Sequence, residues 1–189
     1  MDFESFRQAV LSSVRQHMSA YTSASDAIWD HPEINFHEDF AAETLRGLLR
    51  ENGFAVTDSL GGLPHAFRAE YGSGRPVIAF LGEYDALAAM SQQAGCAQKH
   101  AEKEGAPGHG CGHNLLGVGS AGAAIAVKES IASGVLSGTV VYFGCPAGET
   151  ASAKAFLARD GFFDGLDAIL TWHPWDYTGI WPGGSLGNV

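Results

Sequence analysis

LLGVGSAGAAIAVKESIAS (115–133), followed after Gly134-Val135-Leu136-Ser137 by GTVVYFGC (138–145), is the stretch that sets the fold class. The first segment carries glycine and alanine on a helical repeat. That composition costs helix propensity but lets a helix lie close against a sheet. The second is a continuous apolar run, as in a strand buried on both faces. Upstream, PVIAFLGEYDAL (76–87) holds a similar run from Val77 to Leu81 and ends in two acids, Glu83 and Asp85. Downstream, PAGETASAKAFLARDG (146–161) reads as a helix opening after Pro146 and ending at Gly161, and Ala168 to Trp172 as another buried strand closed by His173-Pro174. Strand, helix, strand, helix, strand is the alternation of an α/β fold with a predominantly parallel central sheet flanked by helices. The carboxyl ends of such strands share one edge, where open α/β sheets place their ligands.

Toward the amino terminus, Phe3, Phe6, Val10 and Val14 recur at helical spacing, and a second helical stretch follows them. Pro32 interrupts SDAIWDHPEINFHE (25–38). Phe40, Leu45, Leu48 and Leu49 then mark another amphipathic helix, with Gly53 placed to cap it. HAFRAEYG (65–72) and the run from Pro76 have hairpin spacing across Gly72-Ser73-Gly74. Residues 91–112 read as a loop.

The chain has 189 residues, enough for one α/β domain. Charged residues are 17% of it and apolar residues 46%, so much of the surface is expected to be covered by the sheet's own layers or by a partner piece. A net charge of −10 with no Lys/Arg cluster excludes nucleic acid and anionic membranes as partners. Cys96, Cys111 and Cys145 are an odd set without framework spacing, which implies a reducing, cytoplasmic location. The first residues lack a signal peptide's apolar core, and no run reaches the roughly 18 apolar residues of a spanning helix.

Ligand-type side chains gather at the expected sheet edge: Cys111 and His113 before the glycine-rich helix, Glu149 after Cys145, and His173 after the last strand. Thiolate, imidazole and carboxylate together suit Zn²⁺, Mn²⁺ or Co²⁺, whereas an all-oxygen set would suit Mg²⁺ or Ca²⁺. Asp85 is placed to orient a ligating imidazole through its second nitrogen. Bland readings stand beside these. Cys111 alone reads as a small buried hydrophobe, Glu149 equally as a first-turn acid favoured by the helix dipole, and His173 as a strand terminator. His109 reads as shaping the turn. His31, Glu33, His37 and Glu38 lack metal-site spacing and read as caps or packing residues.

At GEYDAL (82–87), HGCGHN (109–114), GCPAGETASAKAF (144–156) and TWHP (171–174), together with HPEINFHE (31–38), the chain resembles the aminoacylase- and carboxypeptidase-type metallo-amidohydrolases. By motif it is nearest to the aminobenzoyl-glutamate hydrolase-like and N-acyl-amino-acid hydrolase members. The resemblance implies a zinc-exopeptidase-like catalytic domain with Cys111, His113, Glu149 and His173 as metal ligands and Asp85 as a further site residue. It implies a divalent metal, Zn or Mn or else Co, as two ions in the full-length enzyme. The substrate it implies is a small acylated amino acid or short peptide, the reaction is hydrolysis of the amide bond, and the full-length form is a homodimer.

Two departures stand out. Where members carry two adjacent glutamates, a general base and then a ligand, this sequence has Gly148-Glu149, so the general-base contribution, typically ~10²–10⁴-fold in rate, is expected to be lost. Residues 1–182 would form the amino-terminal part of the catalytic domain, and 183–189 the start of an inserted lid or dimerisation domain. On this reading the rest of the sheet and a final histidine ligand are missing. The expectation is therefore an amidohydrolase, impaired by Gly148 and truncation, with a non-catalytic metal- or partner-binding chain as the alternative. A thiol enzyme using Cys111 with His113 is disfavoured, because such pairs normally come from distant parts of a chain.

Overall fold

The computed structural model describes residues 2–180. Helix α1 (Phe3–Asp30) is one continuous element where the sequence suggests two, and it opens on Asp2, whose carboxylate accepts the Ser5 N–H at 2.9 Å. Helix α2 (Asp39–Glu51) ends at Asn52, and Gly53 takes the left-handed conformation after it (φ 83°), as expected. Its amino terminus is capped from outside the helix: Glu33 accepts the N–H groups of Phe40 and Ala41 at 3.1 and 3.0 Å. His31 stacks on Phe40. The HPEINFHE segment is thus a connector, with capping and packing roles for these two residues.

Five strands follow: β1 (Ala55–Asp58), β2 (Phe67–Ser73), β3 (Val77–Gly82), β4 (Gly138–Gly144) and β5 (Ala168–Leu170), in sheet order β1-β2-β4-β3-β5. Helix α3 (His113–Ala132) connects β3 to β4, and α4 (Ala153–Arg159) lies between β4 and β5. The α/β class stands, and β3, β4 and β5 form its parallel core. The other two pairings, β1 with β2 and β2 with β4, are antiparallel. The expected hairpin of β2 with β3 does not form. Strand β4 lies between them, antiparallel to β2 and parallel to β3, because its wholly buried run can bond on both sides.

Two apolar layers sandwich the sheet. One face packs Tyr142 and Phe67 against α1, α2 and α3 through Ile28, Leu45, Leu49 and Ile125. The other packs Val141 and Phe143 against Leu157 of α4 and the segment Phe162–Leu166. The small residues of α3 allow the close approach expected of them. A Cβ at Gly117 would lie 2.7 Å from the Glu83 carbonyl oxygen, and Ser120 donates to the Leu81 carbonyl at 2.7 Å. Length and composition would let α3 cross a membrane, contrary to the sequence expectation, yet it is half buried within this fold.

Two further expectations are corrected. Helix α4 begins at Ala153, since in the segment before it the Ala147 and Glu149 N–H groups donate to the Glu38 and Asp85 carboxylates, those of Thr150 and Ser152 turn back to the Ala147 carbonyl, and the backbone passes through left-handed Ala147 and Ser152. Strand β5 is exposed, because it pairs on one side only, with β3. The proposed start of an inserted domain at 183–189 lies outside the described residues.

Candidate metal centre

Strand β3 ends at Gly82, and the chain immediately buries Glu83, Tyr84 and Asp85. Tyr84 anchors this turn by donating to the His65 carbonyl at 2.8 Å. Glu83 and Asp85 therefore project toward the start of α3. There Gly112 adopts a left-handed conformation (φ 74°), and a Cβ on it would lie 3.1 Å from Pro174 Cγ. A glycine is needed twice over, for the turn and for the approach of the 171–174 segment. That approach sets His173 Nε2 3.3 Å from Cys111 Sγ.

Asp85 organises the centre. Its Oδ1 accepts from His113 Nδ1 at 2.9 Å and its Oδ2 from the Glu149 N–H at 2.8 Å, so one carboxylate fixes both an imidazole and the loop after β4. The bonding pattern assigns the His113 proton to Nδ1 and leaves the Nε2 lone pair facing Glu149 Oε1 at 3.5 Å and Glu83 Oε2 at 3.8 Å. His173 repeats the device: Nδ1 donates to the Pro174 carbonyl at 2.9 Å, which frees Nε2. Imidazoles held by one nitrogen and open at the other are the arrangement of metal ligands.

Electrostatics follow from this crowding. Burial opposes ionisation of Asp85, but the bonds from His113 and the Glu149 N–H hold its carboxyl below the usual range. Burial works against the His113 cation too, and Asp85, Glu83 and Glu149 outweigh it to raise that pKa. Burial first, then the nearby carboxylates of Glu149, Glu83 and Asp85, push the Cys111 thiol up to about 12. Glu149 Oε1 is buried without a hydrogen-bond donor. The Cys111 sulfur, the orphaned Glu149 oxygen and the two imidazole nitrogens make a donor set that fits a divalent cation, with the Glu83 and Asp85 carboxylates beside it. Donor atoms of Cys111, His113 and His173 lie within 4.8 Å of one another, as do those of Glu83, Asp85 and His113.

The five residues singled out in the sequence, Asp85, Cys111, His113, Glu149 and His173, thus converge on one locality. His109 points elsewhere: its Nε2 donates to the Ile28 carbonyl at 3.2 Å, and burial lowers its pKa to about 4, leaving a neutral ring against α1. The sequence marks Glu83 as a strand-end acid without assigning it to the site, although its two-residue step from Asp85 is the available signal. Lys154, which pairs with Glu83 Oε1 from α4, carries no signal in the sequence that would place it here. Beside Cys111 opens a cavity of about 570 Å³ walled by Trp29, His109, Leu115 and Trp175.

Two consequences are measurable. Asp85→Asn retains an acceptor for His113 but loses the second carboxylate oxygen that holds the Glu149 N–H. Calorimetric titration with Zn²⁺ should show affinity weakened roughly 10–100-fold, the usual cost of losing a ligand's orienting partner. The second concerns Glu38, buried beneath the site loop with Oε1 accepting the Ala147 N–H at 2.9 Å. Burial raises its pKa above 4.5. A raised folded value means that its contribution to stability is present below the unfolded pKa and is lost as pH rises through the folded one. Glu38→Gln should therefore improve relative to wild type in urea denaturation as pH rises from 4 to 7. A difference independent of pH would contradict the assignment.

No family model matches the chain. It is 52% identical over 169 residues to a subunit of the p-aminobenzoyl-glutamate hydrolase of Escherichia coli, covering 89% of the chain and 35% of that protein. Its identity to the Xaa-Arg dipeptidase of Mus musculus is 35% over 164 residues, covering 79% of the chain and 34% of the dipeptidase. Among solved structures, a dinuclear metal-binding peptidase of the M20 family from Bacillus subtilis superposes with a TM-score of 0.64 at 28% identity, over 80% of this chain and 42% of that one. The chain thus spans about a third of the length of these curated relatives.

Proposed function

From a chain that belongs by sequence with the aminoacylase- and carboxypeptidase-type metallo-amidohydrolases, we propose metal-dependent hydrolysis of the amide bond between an acyl or aroyl group and an amino acid. The substrate class is aminobenzoyl-glutamate or an N-acyl amino acid. The observation that carries this reading is the meeting of Cys111, His113 and His173 donor atoms at the carboxyl edge of the sheet, beside an orphaned Glu149 oxygen.

In this reading Cys111, His113, Glu149 and His173 hold the metal, Zn, Mn or Co, and a second ion belongs to the whole enzyme. A divalent ion bound there would polarise the amide carbonyl and acidify a water. The protein's own contributions are separable. Asp85 and the Pro174 carbonyl fix the two imidazoles. Trp29, Leu115 and Trp175 give an apolar wall of the size that suits an acyl or aroyl group. A thiol mechanism has a distant histidine available, since His173 and not His113 faces the sulfur. Burial, and then the carboxylates around Cys111, work against it, because they disfavour the free thiolate that such chemistry needs.

The test is incubation of the chain with Zn²⁺, Mn²⁺ or Co²⁺ and either p-aminobenzoyl-glutamate or an N-acyl amino acid. Amino acid release that a chelator abolishes is expected. Stoichiometric metal binding with no release from any substrate would favour the alternative, a non-catalytic metal-binding chain.

A further inference from the structure

The space that a side chain at position 148 would need is already filled. A Cβ built on Gly148 would lie 1.9 Å from Glu83 Oε2, 2.9 Å from Glu83 Cδ and 3.2 Å from Asp85 Oδ1. The conflict is thus with a carboxylate arriving from the end of β3. Glu83 is not placed there by default. Its Oε1 is paired with the Lys154 ammonium, its side chain is 10% exposed, and its Oε2 stands 3.8 Å from the open Nε2 of His113. One oxygen is tethered by a cation, and the other faces the ligand cluster.

We infer that Glu83 supplies the carboxylate that Gly148 lacks and serves as the proton acceptor for the attacking water, an inference that rests on the amidohydrolase reading. The water O–H bond breaks with its proton passing to Glu83 Oε2, and the water oxygen bonds to the amide carbon. The same proton then passes to the amide nitrogen as the carbon–nitrogen bond breaks, releasing the amine and the carboxylic acid, which gives up its remaining proton to solvent. Glycine at 148 is in this light the counterpart of Glu83, since it leaves the room that the longer route from β3 requires. The general-base contribution expected to be lost is relocated. Lys154 is a positioning residue, acting through Glu83.

A thermal cycle on the 189-residue chain tests the shared space. Gly148→Ala should lower the melting temperature by about 5 °C in the wild-type background and by less than half of that in a Glu83→Ala background, where only the 3.2 Å approach to Asp85 Oδ1 remains. Equal losses in both would show that Glu83 is not there. Zn²⁺ titration of Glu83→Gln tests the role. Affinity within about threefold of wild type is expected, because orienting and ligating groups cost 10-fold or more; a larger loss would make Glu83 a ligand and overturn the assignment.

In hydrolysis, Glu83→Gln should reduce kcat by ~10²–10⁴-fold with KM little changed. Glu83→Ala combined with Gly148→Glu should recover most of that loss, while Gly148→Glu alone should gain nothing. A Glu83→Gln variant of wild-type kcat would overturn the acceptor role. Absence of hydrolysis by metal-loaded wild type would overturn the amidohydrolase reading and the acceptor role with it, and the thermal cycle would still decide whether Glu83 fills position 148.

Discussion

His113→Ala is expected to abolish stoichiometric metal binding, weakening Zn²⁺ affinity by well over the roughly 100-fold upper cost of losing an orienting partner. His113 is the residue on which the two candidate donor groups converge: it belongs with Cys111 and His173 on one side and with Glu83 and Asp85 on the other. Removing its ring deletes the open Nε2. It also strands Asp85 Oδ1, a buried acceptor whose partner is that ring's Nδ1. Loss of one partner from a buried charged pair leaves the other uncompensated, so the local structure suffers as well. His113→Gln offers a separate reading of the two effects, because an amide at that position can still donate to Asp85 while binding metal poorly. The glutamine variant should keep most of the folding stability and lose the metal. If both variants bound Zn²⁺ like wild type, His113 would be a structural residue only.

The second large effect is on the fold. Phe67→Ala should cost about 3–5 kcal/mol in urea denaturation, the usual range for deleting a buried aromatic ring. Phe67 is fully buried and stacks on both Tyr84 and Tyr142 at 6.3 and 5.6 Å between ring centres. Arg46 covers the ring from α2 at 5.1 Å. Its edge also fills the space over Gly144, where a Cβ would lie 2.1 Å from Phe67 Cε1. The ring therefore lies beneath both chain segments that leave the sheet for the site, the turn carrying Glu83 and Asp85 and the loop carrying Glu149. Phe67→Leu, which keeps most of the volume, should cost much less. A loss under about 1 kcal/mol for the alanine variant, well below that range, would mean that this layer is not the core of the fold.

The parts of this architecture legible in the sequence are those written in long apolar runs. Strands β3 and β4 and the helix between them follow from Val77–Leu81, Leu115–Ser133 and Gly138–Cys145, and with them the edge on which Cys111, His113, Glu149 and His173 meet. Strand β1 is not legible, because four mostly exposed residues carry no periodicity. The β2–β3 hairpin is a misreading with a physical reason. Local turn spacing favours it, but β4 pairs along the whole of β2, with Phe67 opposite Gly144 and Ser73 opposite Gly138, and along β3 on its other side. The late start of α4 is hidden because the N–H groups of Ala147 and Glu149 bond to Glu38 and Asp85, partners far away in sequence. Gly148 can be read as an absence. That Glu83 fills the space it leaves depends on side-chain packing between two strand ends, which no spacing along the chain encodes.

The central claim, that Cys111, His113 and His173 bind a divalent metal together, is tested most directly by adding Co²⁺ to the protein and recording its ultraviolet and visible absorption. A saturable thiolate-to-cobalt charge-transfer band is expected, retained in Cys145→Ser and lost in both Cys111→Ser and His113→Ala. A wild-type spectrum identical to that of aqueous Co²⁺, or a band that survives in Cys111→Ser, would contradict it.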